Sequence, residues 1–283
     1  MATRFFPGLR HAIWQVVMVM LVALTAAVGI WAIPHPRVRT EAAVFPGVPT
    51  VGALLAGGRA KPFCTASVVW STHGDVLITA AHCLGRVMRH HMIFAPAYRH
   101  GRAPLGTWDV TRQIVPAGWF TRHRANSYPN IDFAFLLVRG DVQRVTGAEI
   151  LGSSSPVPAL VRVVGYVNNG NHYPISCIRR PETIMVEGQR QLKFVCGGYS
   201  GAVSGAPFLV GKTVVGVLGG YQHGGIWRSV SYASPFGPAV RALYARVALS
   251  SSAGAAPRAE GALRRLDAGA AHERAARARC CLD

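Results

Sequence analysis

The sequence predicts an all-β domain, and three observations predict it. From about Thr50 to Phe236, short apolar runs alternate with clusters of Gly, Pro, Asn and Ser. That spacing suits a sandwich or barrel of many short strands better than alternating strands and helices. The run "FLVGKTVVGV" reads as a β-hairpin turning at Gly211-Lys212. One amphipathic helix follows, with Pro238 at its start and Val240, Leu243, Tyr244 and Val247 on one stripe. It is expected to close the domain by packing on a barrel.

At the N-terminus, Arg4 and Arg10 precede an apolar run from Ala12 to Ala32 broken only by Gln15, Thr25 and Gly29. Residues 1–32 therefore read as an export signal, with small residues at Thr25-Ala26-Ala27 where a peptidase would cut. As a helix the run would be about 31 Å long, enough to span a bilayer uncleaved. Both a secreted protein and a membrane-anchored one, held through residues 12–32, are open, and either places the body outside the cytoplasm. Residues 33–49 are proline-rich and read as a linker or short pro-segment.

Within 50–236 the candidate strands are "TASVVW", "DVLITAA", "MIFAPAY", "DFAFLLV", "ALVRVVGYV", "LKFVC", "APFLV" and "TVVGVLGGY". The expected layout is one half over about 50–150, a second over 151–236 and the closing helix over 237–248. Residues 249–283 form a low-complexity Ala/Arg-rich tail, expected to be irregular or marginally helical. A basic membrane-surface helix would need an aromatic or leucine-rich face, which the tail lacks.

The formal net charge is +18, from 30 Lys+Arg against 12 Asp+Glu. The basic residues are nearly all arginines and are scattered, whereas a nucleic-acid binder concentrates them in a patch or on one helix. No specific nucleic-acid partner is expected. Cys64 and Cys83 are 19 residues apart, as are Cys177 and Cys196. In an exported protein these spacings read as disulfides Cys64–Cys83 and Cys177–Cys196. No zinc-type spacing occurs in the domain, so no metal is expected, and Cys280 and Cys281 lie outside this framework.

The stretch "LITAAHC" ends an apolar strand on His82, next to a cysteine that can be bridged. Acids are scarce after it. Between His82 and Ser204 there are only Asp109, Asp132, Asp141, Glu149, Glu182 and Glu187. Asp132 alone sits inside a strongly apolar run, "NIDFAFLLV", where a carboxylate is costly to bury without a partner such as an imidazole N–H. A strand-start aspartate exposed at a turn is the alternative. The stretch "CGGYSGAVSGAPF" offers two serines, Ser200 and Ser204, each followed by glycine. Either hydroxyl would need a base to become a nucleophile.

The blocks "FCTASVVWS…LITAAHC", "IDFAFLLV" and "CGGYSGAVSGAPFLV…VVGVLGGYQHGG" resemble those of chymotrypsin-fold (trypsin-like) serine peptidases, especially secreted enzymes of high-GC bacteria. The resemblance covers about Pro49 to Val247. It implies two packed six-stranded antiparallel β-barrels with a C-terminal α-helix, and a His82, Asp132, Ser204 triad in the His…Asp…Ser chain order. The family's nucleophile is followed by Gly-x-Pro, which Ser204 matches and Ser200 does not. It further implies an oxyanion hole made by the N–H groups of Ala202 and Ser204. The substrate pocket would involve Gly198, Gly219, Gly220 and Tyr221. A monomeric endopeptidase acting on protein or peptide substrates, without cofactor, is expected. The rival is a catalytically impaired homologue that binds proteins through the same cleft. A serine esterase would show a Gly-x-Ser-x-Gly elbow, and here alanines, Ala202 and Ala206, take both glycine places.

Three positions depart from the family pattern. Ala202 stands where a glycine two before the nucleophile turns its N–H into the hole, and its Cβ restricts that turn. Val203 replaces the aspartate that in animal enzymes pairs with a newly cut N-terminus. Gly198 lies where an Arg/Lys-selective pocket carries its aspartate, so the resemblance concerns fold and mechanism and leaves the preferred side chain undefined.

Overall fold

The computed structural model describes residues 14–20, 41–57, 61–84, 91–120, 129–155, 157, 160–168 and 173–250. Residues 14–20 are helical and belong to a separate N-terminal unit. The rest of the predicted export run and residues 251–283 of the Ala/Arg-rich tail lie outside the described residues, while residues 249 and 250 continue the closing helix. Among the described residues no helix is long and apolar enough to cross a membrane.

The second unit is mostly β. After a two-residue strand β1 (Ala43–Val44) come β2 (Val51–Ala56), β3 (Pro62–Val68), β4 (Val76–Thr79), β5 (Met92–Pro96), β6 (Trp108–Ile114) and β7 (Ala134–Val138). Strands β2 to β7 close an antiparallel barrel in the order β2-β3-β4-β7-β6-β5. Closure rests on β2, which pairs with β3 along one edge and β5 along the other.

The second half holds β8 (Ile150–Leu151), β9 (Val161–Tyr166), β10 (Pro174–Arg179), β11 (Glu182–Val186), β12 (Gln189–Val195), β13 (Pro207–Val210), β14 (Thr213–Leu218) and β15 (Val230–Pro235). With β1 they form a nine-stranded sheet, ordered β1-β10-β9-β13-β14-β15-β12-β11, with β8 parallel to β14. The predicted hairpin is present: β13 and β14 pair antiparallel across Gly211-Lys212. The segment read as a linker also contributes. Ala43 and Val44 pair with Ser176 and Ile175, and the Ala42 N–H donates to the Gly197 carbonyl at 2.9 Å.

Strands β4 and β7 are buried along their whole length because they face two cores. Leu77 and Leu136 point into the barrel with Leu54, Phe94 and Trp108. Their neighbours Val76, Ile78, Phe135 and Leu137 point the other way, into a core shared with Tyr166, Leu209, Val217 and Phe236 of the second sheet. Alternation along a strand thus gives two apolar faces and a continuous apolar run. The helix Pro238–Ser250 seals this shared core with Val240, Leu243 and Val247. Its Tyr244 hydroxyl donates to the Trp70 carbonyl.

Both predicted disulfides form, Cys64–Cys83 tying β3 to the turn carrying His82, and Cys177–Cys196 tying β10 to the end of β12. Each closes a loop of sequence separation 19, which in the chain-entropy account contributes about 3 kcal/mol. Replacing Cys177 and Cys196 together by alanine is expected to lower unfolding free energy by about that amount. Urea titration checks this, and an unchanged midpoint would refute it.

Candidate active site

His82 and Asp132 meet because of strand register. In the β4–β7 ladder Thr79 lies opposite Ala134. His82 follows Thr79 in the short 3₁₀ turn Ala81–Leu84, and Asp132 precedes Ala134 just after the turn Pro129–Ile131. The chain therefore delivers both residues to the same end of the barrel. The His82 Nδ1 is 2.7 Å from Asp132 Oδ2, and the His82 backbone N–H donates to Asp132 Oδ1 at 2.9 Å.

Asp132 is 1% exposed. The Gly220 N–H donates to its Oδ2 at 2.6 Å, and the Ser234 hydroxyl donates to its backbone carbonyl at 3.2 Å. Burial alone would push the carboxyl up, but the charge of His82 and the hydrogen bonds from His82 and Gly220 outweigh it. The net effect holds Asp132 below its ordinary value. Ordering of the surroundings extends one layer further. Buried Gln191 donates from Nε2 to Asn130 Oδ1 at 2.6 Å and accepts the Tyr221 N–H at 3.1 Å. It thereby joins the segment before Asp132 to the segment after Gly220.

Ser204 comes from the other half, in the turn between β12 and β13. Its carbonyl accepts the Thr65 N–H of β3 at 2.8 Å, and the next residue's N–H donates to the Leu218 carbonyl at 2.7 Å. Gly205 has φ +82°, and a Cβ there would lie 2.3 Å from the Thr65 carbonyl and 3.0 Å from the Ala80 nitrogen. Only glycine lets the turn approach β3 and the residues before His82 this closely. Ser204 is half-buried, and among the described residues its hydroxyl makes no hydrogen bond to His82. Ser200 is exposed, on the far side of Gly201.

Gly201 carries a left-handed φ of +65°, while Ala202 stays out of that region and is 1% exposed. Among the described residues neither the Ala202 nor the Ser204 N–H is spent on a protein acceptor. Val203 points into the apolar core of the second sheet with Val163, Tyr199 and Ala206. Of the pocket candidates, Gly219 and Gly220 are buried behind Asp132, and Tyr221 is half-buried beside them. Gly198 is exposed, with Ala42 of the N-terminal segment its nearest neighbour. Two cavities of about 650 and 700 Å³ open elsewhere, and none of the candidate site residues lines them.

Three residues escaped the sequence reading. Thr65 and Gln191 are polar residues wholly buried in strands, a signal visible in "FCTASVV" and "QRQLKFV" only as an interruption. His223 sits with its ring centroid 5.0 Å from that of His82, tilted by 31°. Burial and the charge of His82 lower its pKa, with Asp132 opposing. Gln222 and His223 both have positive φ, +52° and +55°, a conformation costing about 1–2 kcal/mol per non-glycine residue.

The architecture is the chymotrypsin fold. The chain is similar to the crystal structure of the protease Anisep from Arthrobacter nicotinovorans, with TM-score 0.62 and 22% identity, over 74% of this chain and 99% of that one. It is similar also to the thermostable serine protease AL20 from an extremophilic microorganism, with TM-score 0.59 and 23% identity, over 71% and 97% of the two chains. Human heparin binding protein shares the fold at TM-score 0.57 and 15% identity, over 76% and 99%. No family profile and no curated protein sequence matches the chain.

The depressed Asp132 carboxyl makes a pH prediction. A group whose folded pKa is lowered stabilises the fold above its ordinary value, here 3.8, and the contribution disappears as pH falls through the lower folded value. Unfolding free energy should therefore drop more steeply below about pH 4 in the native chain than in Asp132→Asn. Chemical denaturation at stepped pH measures it, and parallel profiles would show that Asp132 is not the group responsible.

Proposed function

We propose that this chain is an exported serine endopeptidase using His82, Asp132 and Ser204. The observation that carries the reading is the buried Asp132 carboxylate, which receives both the Nδ1 and the backbone N–H of His82. A carboxylate on Nδ1 leaves Nε2 as the proton acceptor facing a nucleophile. The likeness in fold to solved serine proteases supports the same reading. Two disulfides, together with the apolar N-terminal run, support export.

In this mechanism Ser204 Oγ attacks the peptide carbonyl carbon while His82 Nε2 takes the hydroxyl proton. Asp132 fixes the tautomer and offsets the charge on the imidazolium. The carbonyl oxygen, now an anion, is held by the N–H groups of Ala202 and Ser204. Collapse expels the amine, which takes the proton from His82 and leaves an acyl-Ser204 ester. Water, deprotonated by His82, then attacks that ester and releases the acid, returning the proton to Ser204. Cleavage beside a particular side chain is not assigned, since Gly198, Gly219 and Gly220 contribute backbone alone.

A second reading, a protein binder built on the peptidase scaffold, rests on Ala202 and Val203, which depart from the family pattern just before Ser204. One experiment separates the two. The folded protein is treated with a fluorophosphonate probe and the adduct mapped. The peptidase reading expects labelling of Ser204, abolished in His82→Ala and slowed about 10⁴-fold in Asp132→Asn. Folded native chain that stays unlabelled would establish the binder instead.

A further inference from the structure

Thr65 is a residue of the first barrel that grips the nucleophile turn of the second half at two points. It is fully buried on β3, next to Cys64. Its backbone N–H donates to the Ser204 carbonyl at 2.8 Å, and its hydroxyl bonds the Ala202 carbonyl at 3.0 Å. The Tyr166 N–H of β9 donates to that same hydroxyl at 3.0 Å. A hydroxyl has one proton and two lone pairs. Because Tyr166 N–H supplies a proton and the Ala202 carbonyl can only accept, the hydroxyl proton must point at Ala202. The orientation is dictated by its neighbours, with no rotational choice left. Thr79 makes the arrangement rigid from behind, its hydroxyl donating to the Thr65 carbonyl at 2.7 Å.

The two carbonyls that Thr65 holds flank Val203 and Ser204 itself. Peptide units are planar, so pinning the Ala202 carbonyl fixes the 202–203 plane, and pinning the Ser204 carbonyl fixes the 204–205 plane. The free N–H groups of Ala202 and Ser204 lie between or directly beside these fixed planes. Upstream, the turn is made by Gly201 at φ +65°, a residue with conformational freedom on both sides of zero φ. Without the Thr65 hydroxyl, the 202–203 peptide would lose this hold, and the 203–204 peptide that carries the Ser204 N–H would be fixed on one side only.

We propose that Thr65 is a positioning residue for the oxyanion donors, its hydroxyl holding the 202–203 peptide so that the Ser204 N–H, on the peptide between the two held carbonyls, keeps its direction toward the reacting oxygen. This rests on the peptidase reading of Ser204. Gly201, at φ +65°, takes the left-handed conformation next to Ala202, and a barrel-1 hydroxyl holds the alanine's carbonyl.

The test uses the full chain and the second-order rate of Ser204 labelling by a fluorophosphonate, read beside thermal unfolding. Thr65→Val keeps the shape and removes the hydroxyl, and Thr65→Ser restores it. Labelling should slow about 100-fold in Thr65→Val and stay within about threefold of native in Thr65→Ser. The pH profile of the rate should keep its native shape in both, because the His82–Asp132 contact is untouched. If valine blocks folding, Thr65→Ala is read against Thr65→Ser in the same way. A folded valine or alanine variant labelled at the native rate, or a serine variant as slow as them, overturns the proposal while leaving the peptidase reading intact. A native chain that is never labelled overturns both.

Discussion

The buried contact between Asp132 and His82 is the constraint around which the rest of this structure is arranged. A carboxylate that is 1% exposed faces a desolvation penalty of several kcal/mol, and it persists as an anion only where donors replace its water. Three donors do so here: the His82 ring, the His82 N–H and the Gly220 N–H. The first two come from the barrel's own turn after strand β4. The third comes from the end of β14 in the second sheet. The contact therefore needs both halves of the domain, and the shared core of Ile78, Phe135, Tyr166 and Val217 holds those halves in register.

The same division of labour recurs at Ser204. Its turn belongs to the second sheet, yet its carbonyl is held by Thr65, and Gly205 sits where a side chain would strike Thr65 and Ala80. Ser204 carried by one half and His82 carried by the other can only be aligned if the seam between them is stiff. Hydrogen bonds of Thr65 to Ala202, Ser204 and Tyr166, buried and mutually satisfied, provide that stiffness beside Ser204. Apolar packing elsewhere along the seam fixes distance but supplies little orientation.

What the sequence made legible follows from this physics. The strongly apolar strands β4, β7, β9, β13 and β14 were visible because each buries two faces or a hairpin core; His82 and Asp132 stood out as polar residues set against them, while only the family resemblance separated Ser204 from Ser200. Strands β6 and β11 were not. "WDVTRQI" and "ETIMV" lie at the surface with exposed polar residues, so their alternation is weak and neighbours decide their conformation. β1 was hidden for a different reason: two residues carry no periodicity, and Ala43-Val44 becomes a strand only because β10 offers an edge. Thr65 and Gln191 were hidden because their role is defined by partners 137 and 61 residues away, a distance that no local pattern encodes. The position of the left-handed residue in the nucleophile turn was likewise undetermined, since Gly201 and Ala202 are adjacent and either could have been asked to bear it.

His223 completes the electrostatic account of the site. The two imidazole centroids lie 5.0 Å apart, and Asp132 Oδ2 bonds both the His82 ring and the Gly220 N–H. Burial and the charge of the neighbouring His82 lower the pKa of His223, with Asp132 opposing. The segment that presents His223 spends backbone energy to do so, with Gln222 and His223 both left-handed between Gly220 and Gly224, also at positive φ. Such outliers persist only where surrounding contacts over-determine them. The contacts present here are the Gly220 N–H on Asp132 and the Tyr221 N–H on Gln191. The same donor that keeps Asp132 ionised thus anchors the strained turn, and carboxylate charge, imidazole order and backbone strain form one linked system.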